Sequence, residues 1–268
     1  MDDDQLWRSS GRAVAGFGRA AVAYDRYRPG YPAELFDHVA TECGLDASSV
    51  VVDVGAGTGL SSIGFASRCS RLVCVEPSAE MAAIARARLG PFPGASVVEE
   101  SFERWEPNVA EVQLLTAANT WQWLDPAVRW VKASRLLRPA GHLALIWHDL
   151  IGYSPSRFGR RLSEVGGALN PALAATPTEL GLDTQDTWAK RIASSGLFGD
   201  VRTTRYAFTR SLDARTFVAV LNTYGVNQGL TAVAREHQDS VLRDLIEDEF
   251  DGVIHKHEDA VLHLARRA

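Results

Sequence analysis

Lysine is nearly missing from this chain: of 28 basic residues only Lys132, Lys190 and Lys256 are lysine, and arginine supplies the rest. That bias suits a GC-rich bacterial genome and is given no mechanistic weight. An excess of positive charge is missing too, since 33 acidic residues leave a formal net charge of -5; no basic face is expected, and nucleic acid is not an expected partner. Cysteine is scarce. Cys43, Cys69 and Cys74 form no metal-ligand spacing and leave one thiol unpaired under any single bridge, which fits a reducing cytoplasm. No run approaches the roughly 18 apolar residues of a membrane span, and the opening MDDD is acidic where a secretory signal would be basic. What the chain has instead is 46% hydrophobic residues over 268 positions, ample for one large buried core. A soluble, cytoplasmic protein with small-molecule partners is expected, as a monomer or homodimer with no membrane contact.

The apolar periodicity alternates between two kinds of element. AELFDHVATEC (33 to 43) has helical spacing, VVVDV (50 to 54) reads as a strand, and a helix is expected from Thr58 to about Cys69. LVCVE (72 to 76) is a second strand, followed by a helix in SAEMAAIARARL with Ser78 as its cap. Further strands are expected at ASVVE, EVQLLTA and GHLALIW, with DPAVRWVKASRLLRP a helix running from an Asp cap to a proline stop. Strands alternating with helices imply right-handed crossovers and a parallel sheet covered on both faces. After Trp147 the rhythm changes. The stretch 149 to 182 reads as loop-rich, 187 to 198 as helix, 201 to 210 as strand, 213 to 222 and 230 to 249 as helices, and VIHKHEDAVLHLARR holds a last strand. Three regions follow from this: an N-terminal helical preamble (1 to 44), an alternating strand and helix core (45 to 150), and cap helices with the remaining strands (151 to 268), together one continuous domain.

VVDVGAGTGL (51 to 60) carries the first chemical signal. A glycine-rich turn after the first strand lets a ligand touch backbone amides. Dinucleotide sites prefer G-x-G-x-x-G, whereas Gly55, Gly57 and Gly59 read G-x-G-x-G, a shorter form that suits S-adenosylmethionine, whose carboxylate is smaller than a pyrophosphate. Glu76, at the tip of the second strand, can accept both hydroxyls of a ribose.

With these motifs the chain resembles the class I S-adenosylmethionine-dependent methyltransferases, and within them the methyltransferase type 11 branch that includes trans-aconitate-methyltransferase-like proteins. The likeness is strongest in YDRYRPGYP, VVDVGAGTGL, VCVEPSAEM, SFERWEPNVAEVQLLTAANTWQWLD and RLLRPAGHLALIW. The resemblance implies an α/β fold: a Rossmann-like seven-stranded, mostly parallel sheet with helices on both faces and a helical cap. It also implies S-adenosyl-L-methionine as cofactor and a small-molecule methyl acceptor. Asp53, Gly55 and Gly57 would surround the methionine part and Glu76 the ribose; Pro77, Ser78 and Met81 would lie near the adenine, with Ser101 and Phe102 on its other side. Asn119 would stand beside the methionine end, and Tyr24 and Arg28 belong to a preamble that folds over the cofactor. Three positions depart from the pattern: Gln122 stands where relatives have histidine, Val112-Gln113 replaces an acid, and Pro139-Ala140-Gly141 replaces P-G-G. Two alternatives stay open, a non-catalytic cofactor-binding protein and a nicotinamide-dependent oxidoreductase.

Methyl transfer from a sulfonium asks the protein for positioning, desolvation and an activated acceptor. Tyr24, Tyr27, Trp121 and Trp123 could offer aromatic faces to the sulfonium cation, or equally serve as packing. A carboxylate acceptor would need a cation such as Arg28; the Arg160-Arg161 pair reads better as a solvated face. A hydroxyl or amine acceptor would profit from a general base, and His148 follows the fifth strand at its carboxyl end. Trp123, Trp147 and Tyr224 are the expected substrate contacts, with Asn227 and Gln228 in the same polar loop. His255 and His257 alternate on a strand; a surface face is preferred to a metal pair, and no metal is expected.

Overall fold

The computed structural model describes residues 18–108, 111–148, 156–174, 185–227 and 230–268. Seven strands form one sheet: β1 (Val50–Val54), β2 (Arg71–Val75), β3 (Ala95–Val98), β4 (Val112–Ala118), β5 (Leu137–His148), β6 (Phe198–Asp213) and β7 (Val253–Arg267). Their spatial order is β3-β2-β1-β4-β5-β7-β6, with β1 through β5 parallel and β7 antiparallel to both its neighbours. The central strands are buried on both faces, which is why β1 reads as an unbroken apolar run apart from Asp53.

Among the described residues the main helices are α1 (Ala21–Tyr27), α2 (Ala33–Cys43), α3 (Ser62–Ala66), α4 (Ala79–Leu89), α5 (Arg129–Leu136), α6 (Arg157–Arg161), α7 (Gln185–Ser194), α8 (Ala214–Leu221) and α9 (Ala232–Glu249). One face of the sheet packs Leu35, Phe36 and Val39 of α2 against Val51, Leu114, Ile146 and Leu262. The other packs Phe102, Trp105, Trp121, Trp130 of α5 and Trp188 and Ile192 of α7 against Val52, Leu115, Leu145 and Trp147. A third apolar cluster lies beyond the strand ends, where α8 and α9 meet Leu162, Leu173, Leu212 and Ile254, with Tyr27 of α1 against them.

The α2 helix and β1 have the bounds expected, and Ser78 caps α4 by accepting from the Met81 amide at 3.3 Å. Two expectations need correction, and the open limits of the last strand are fixed. The helix expected from Thr58 to Cys69 is only Ser62–Ala66, because Gly55, Gly57 and Gly59 all take left-handed φ and extend the turn. The stretch expected to be loop-rich is helical in its described part, where α6 runs on through a π turn (Leu162–Gly166) to Gly167–Leu169; Leu162 inserts into the third apolar cluster and Ser156 caps the start. The last strand spans all of VIHKHEDAVLHLARR. Paired with β6, it projects past the edge set by His148, which lies opposite Ala260. The three cysteines are unpaired.

Candidate active site

The carboxyl ends of β1, β2, β4 and β5 meet at the glycine turn. Glu76, one residue past β2, turns its carboxylate back onto that turn: Oε2 accepts from the Gly57 amide at 2.8 Å and Oε1 from the Ser78 amide at 2.9 Å. The side chain is buried, and burial raises its pKa against the pull of those two amides. Asp53, completely buried at the end of β1, accepts from Ser62 at 2.5 Å and Ser61 at 2.9 Å through Oδ2, while Oδ1 has no partner. Burial pushes its carboxyl up to about 6, the two serine hydroxyls opposing and the Glu76 charge adding.

Two glycines of the turn are there for different reasons. At Gly55 an added Cβ would lie 2.1 Å from Thr120 Cγ2, so packing alone excludes a side chain. At Gly57 it would meet only Met81 Sδ at 3.9 Å, so the space before that backbone is open. Of the expected adenine neighbours, Pro77 is exposed, Met81 is buried facing the turn, and Ser101 is half-buried. Phe102 is buried in the core on the α5 side, with Lys132 Nζ 5.4 Å from its ring centre.

Asn119 ends β4 with φ 54°, a left-handed conformation uncommon outside glycine. The reason is that its amide joins three elements. Nδ2 donates to the Tyr31 hydroxyl at 2.9 Å, and Oδ1 accepts from the His148 amide at 3.0 Å. Tyr31 in turn stacks on the His148 ring, with centroids 4.2 Å apart and planes 11° from parallel. Arg28 crosses to the cap: Nε donates to Thr223 Oγ1 at 2.8 Å and Nη2 to the Thr223 carbonyl at 3.1 Å. Its guanidinium lies 3.6 Å from the Tyr224 ring centre and 4.9 Å from that of Tyr24.

His148 is buried, and its Nε2 has no hydrogen-bond partner. Burial, reinforced by the Arg28 charge, pushes its pKa down to about 3, so the ring is neutral. A conjugate acid that strong makes His148 a weak proton acceptor, well below the near-neutral pKa that suits a general base, although its lone pair still accepts a hydrogen bond.

Trp147 is also corrected. Strand alternation sends it to the face opposite His148, where it stacks on Trp188 at 5.2 Å and donates to Gln122 Oε1 at 3.3 Å. Trp121 is wholly buried in the same core and Tyr27 packs under the cap, so neither reaches the groove. Trp123 is half-buried. Asn227, expected in a polar lining, is buried and accepts from Asn170 within the cap; Gln228 lies outside the described residues. Arg161 pairs with Glu249 and Glu164 on the cap surface. His255 and His257 are exposed, their rings bonded to Ser211 and Thr209.

Sequence reasoning missed the residues that alternate with those histidines. Lys256 and Glu258 point inward and are buried, with Lys256 Nζ 2.5 Å from Glu258 Oε1 and Arg210 Nε 3.3 Å from Glu258 Oε2. The signal was present, because period-two alternation places 256 and 258 on the side of Ile254, Ala260 and Leu262. Tyr31 and Thr223 were missed as well, having no local pattern.

Two of the departures from the family pattern have structural explanations. Gln113 donates from Nε2 to the carbonyls of Cys43 and Gly44 at 2.5 and 2.7 Å, closing the end of α2 far from the groove. Gln122 braces Trp147 and donates to the Asn119 carbonyl at 3.1 Å.

Comparison with known proteins agrees with this geometry. Residues 51–141 match the family described as "Methyltransferase domain". An uncharacterized methyltransferase of Mycobacterium tuberculosis is 35% identical over 132 residues, 49% of this chain and 51% of that protein, so the chain spans about half the length of the curated relatives it matches. A methyltransferase-like protein of Schizosaccharomyces pombe is 24% identical over 202 residues, 75% of this chain and 74% of its own. A solved structure from Anaeromyxobacter dehalogenans, assigned as a type II methyltransferase, superposes with a TM-score of 0.63 at 17% identity, covering 90% of this chain and 98% of that one. Phosphoethanolamine N-methyltransferase 2 of Haemonchus contortus, solved with S-adenosylhomocysteine, superposes at 0.52 and 13% identity over 93% of this chain and 57% of that one. Residues 51–141 thus match a methyltransferase domain, and the seven-stranded sheet around them has a Rossmann-like fold shared with solved methyltransferase structures.

Proposed function

We propose that the whole chain is an S-adenosylmethionine-dependent methyltransferase acting on a small molecule. The observation that carries this reading is the glycine turn closed by Glu76 beside the open oxygen of Asp53. These residues fit the cofactor by their chemistry. Asp53 Oδ1 is a buried acceptor in want of a donor, which an ammonium supplies; Glu76 offers a carboxylate to vicinal hydroxyls; the room before Gly57 admits a ligand against the backbone. Arg28 and Tyr24, brought over the groove by α1, would hold the carboxylate end, with Met81, Pro77 and Ser101 toward the base. When bound, S-adenosylmethionine supplies an electrophilic methyl group, open to in-line displacement by an acceptor lone pair.

The chain's own residues then position and desolvate. Tyr31 and Asn119 fix the ring of His148, whose Nε2 accepts a hydrogen bond from the acceptor's X–H and orients its lone pair. Tyr224 and Trp123 would complete the acceptor side. The three regions act as one catalytic domain in this reading, since the last region contributes β6 and β7 to the same sheet. Three unpaired thiols suit a cytoplasmic setting, and among the described residues no helix is long and apolar enough to cross a membrane.

Calorimetric titration with S-adenosylhomocysteine, with NAD in parallel, tests the reading. Micromolar binding of the former alone is expected, and Glu76→Gln should weaken it by about 2 kcal/mol, the range of a charged hydrogen bond. Binding of NAD instead would overturn the assignment.

A further inference from the structure

The third glycine of the turn, Gly59, has a neighbour that the first two lack. Besides its left-handed φ of 82°, a Cβ there would lie 3.2 Å from Arg88 Cδ and 3.5 Å from Ala85 Cα, so the glycine leaves a passage for the Arg88 stem. Arg88, in the last turn of α4, thereby reaches two distant segments. Its Nε donates to the Thr58 carbonyl of the turn at 3.0 Å, and its Nη2 to Asp25 Oδ1 of α1 at 2.5 Å. The chain entering α1 also lies against the start of α4: at Gly18 a Cβ would stand 2.7 Å from Glu80 Oε2 and 2.9 Å from Ser78 Oγ. The preamble therefore runs alongside α4, and one guanidinium ties its far end to the glycine turn.

Helix geometry fixes what the tie holds. Tyr24 and Arg28 are one turn apart on a shared face of α1, with the guanidinium 4.9 Å from the Tyr24 ring centre. Burial raises the pKa of the Tyr24 hydroxyl, Arg28 opposes, and Tyr224 and Glu76 add, so Tyr24 stands within electrostatic reach of the carboxylate past β2. That face looks to the groove, while Asp25, about 100° further round the helix, looks to α4. Stability gives little reason for the pair. The Arg88 and Asp25 side chains are 24% and 29% exposed, and ion pairs open to water add little to folding. What the pair fixes is where α1 lies.

We propose that Asp25 and Arg88 are positioning residues for the cofactor: their tie holds α1, with Tyr24 and Arg28, over the groove and so sets how slowly the bound cofactor leaves. This rests on the methyltransferase reading above. Movement of α1 away from the groove requires the Asp25 bond to break, while the Thr58 bond keeps Arg88 in place to receive the carboxylate again.

The test is surface plasmon resonance on the immobilised full chain, with S-adenosylhomocysteine as the probe. Asp25→Ala and Arg88→Met should each speed its dissociation by about fivefold or more, with association little changed. Melting temperatures should stay at the parent's value. The double variant should release the probe no faster than either single one, since all three lack the same tie. Raising sodium chloride from about 50 to 500 mM should speed release from the parent more than from the variants, because salt screens a pair that touches water. Parental dissociation in either single variant, effects that multiply in the double one, or one salt dependence for all four proteins overturns the inference. Faster release with a lowered melting temperature overturns it too, since that is loss of fold and not of a tie. Failure of the parent to bind S-adenosylhomocysteine sinks this inference and the underlying reading together; binding whose release is indifferent to both substitutions sinks this inference alone.

Discussion

Asp53 shows at the scale of one residue how a site is maintained against stability. Its carboxyl is raised from 3.8 to about 6, chiefly by burial. Between those values the folded protein keeps a proton that the unfolded chain has released, so stability falls as pH rises through the window and the full cost is present above 6. Two units correspond to about 3 kcal/mol at roughly 1.4 kcal/mol each. Asp53→Asn should therefore raise the melting temperature at pH 7.5. The same change should weaken S-adenosylhomocysteine at least tenfold, and the rise in the parent's affinity between pH 5 and 7 should vanish in the variant. A lower melting temperature, or an unaltered pH slope in calorimetry, would remove Asp53 from the site. His148 has the opposite sign: with its pKa depressed to about 3, it contributes stability at neutral pH that is lost as pH falls from 6.5 toward 3.

Among elements, the start of β5 holds a testable strain. Ala140 has φ 61° within a register shift between β4 and β5, a left-handed conformation costing an alanine about 1–2 kcal/mol. Glycine removes that cost but makes the unfolded chain freer by about 0.4–1 kcal/mol. Ala140→Gly should thus stabilise by about 0.5–1 kcal/mol in urea denaturation and leave S-adenosylhomocysteine binding alone, because residue 140 lies at the far end of its strand. Destabilisation would mean that the Ala140 methyl packs better than its conformation suggests. Elements were legible in the sequence to differing degrees for the same kind of reason. The strands β1 and β2 are central, and their burial writes itself into continuous apolar runs; α2 has a clean apolar stripe. The shortness of α3 was not legible, because three left-handed glycines compete with a sequence that otherwise suits a helix.

Across the whole molecule, the groove is assembled from distant segments, and Arg28 is the tie. It joins α1 to the end of α8 through Thr223, 195 residues away, and is sandwiched by Tyr24 and Tyr224. Arg28→Ala should accelerate amide exchange in residues 21 to 28 and weaken S-adenosylhomocysteine; Arg28→Lys should rescue little, since an ammonium cannot lie flat between two rings while bonding twice to Thr223. Unchanged exchange in the alanine variant would show that α1 is held by other contacts.

The sequence by itself determined the alternation of elements, the glycine turn and the placing of Asp53 and Glu76 at strand tips, because these depend on period, turn chemistry and short spacings along the chain. It did not determine what each side chain faces. Trp147 and His148 are adjacent yet belong to opposite faces; the exposed histidines of β7 alternate with a buried Lys256 and Glu258; Gln113 closes a helix rather than a ligand site. Only the tertiary structure decided these, because burial and charge environment are properties of the strands and helices packed against a residue, and those partners lie tens to hundreds of positions away.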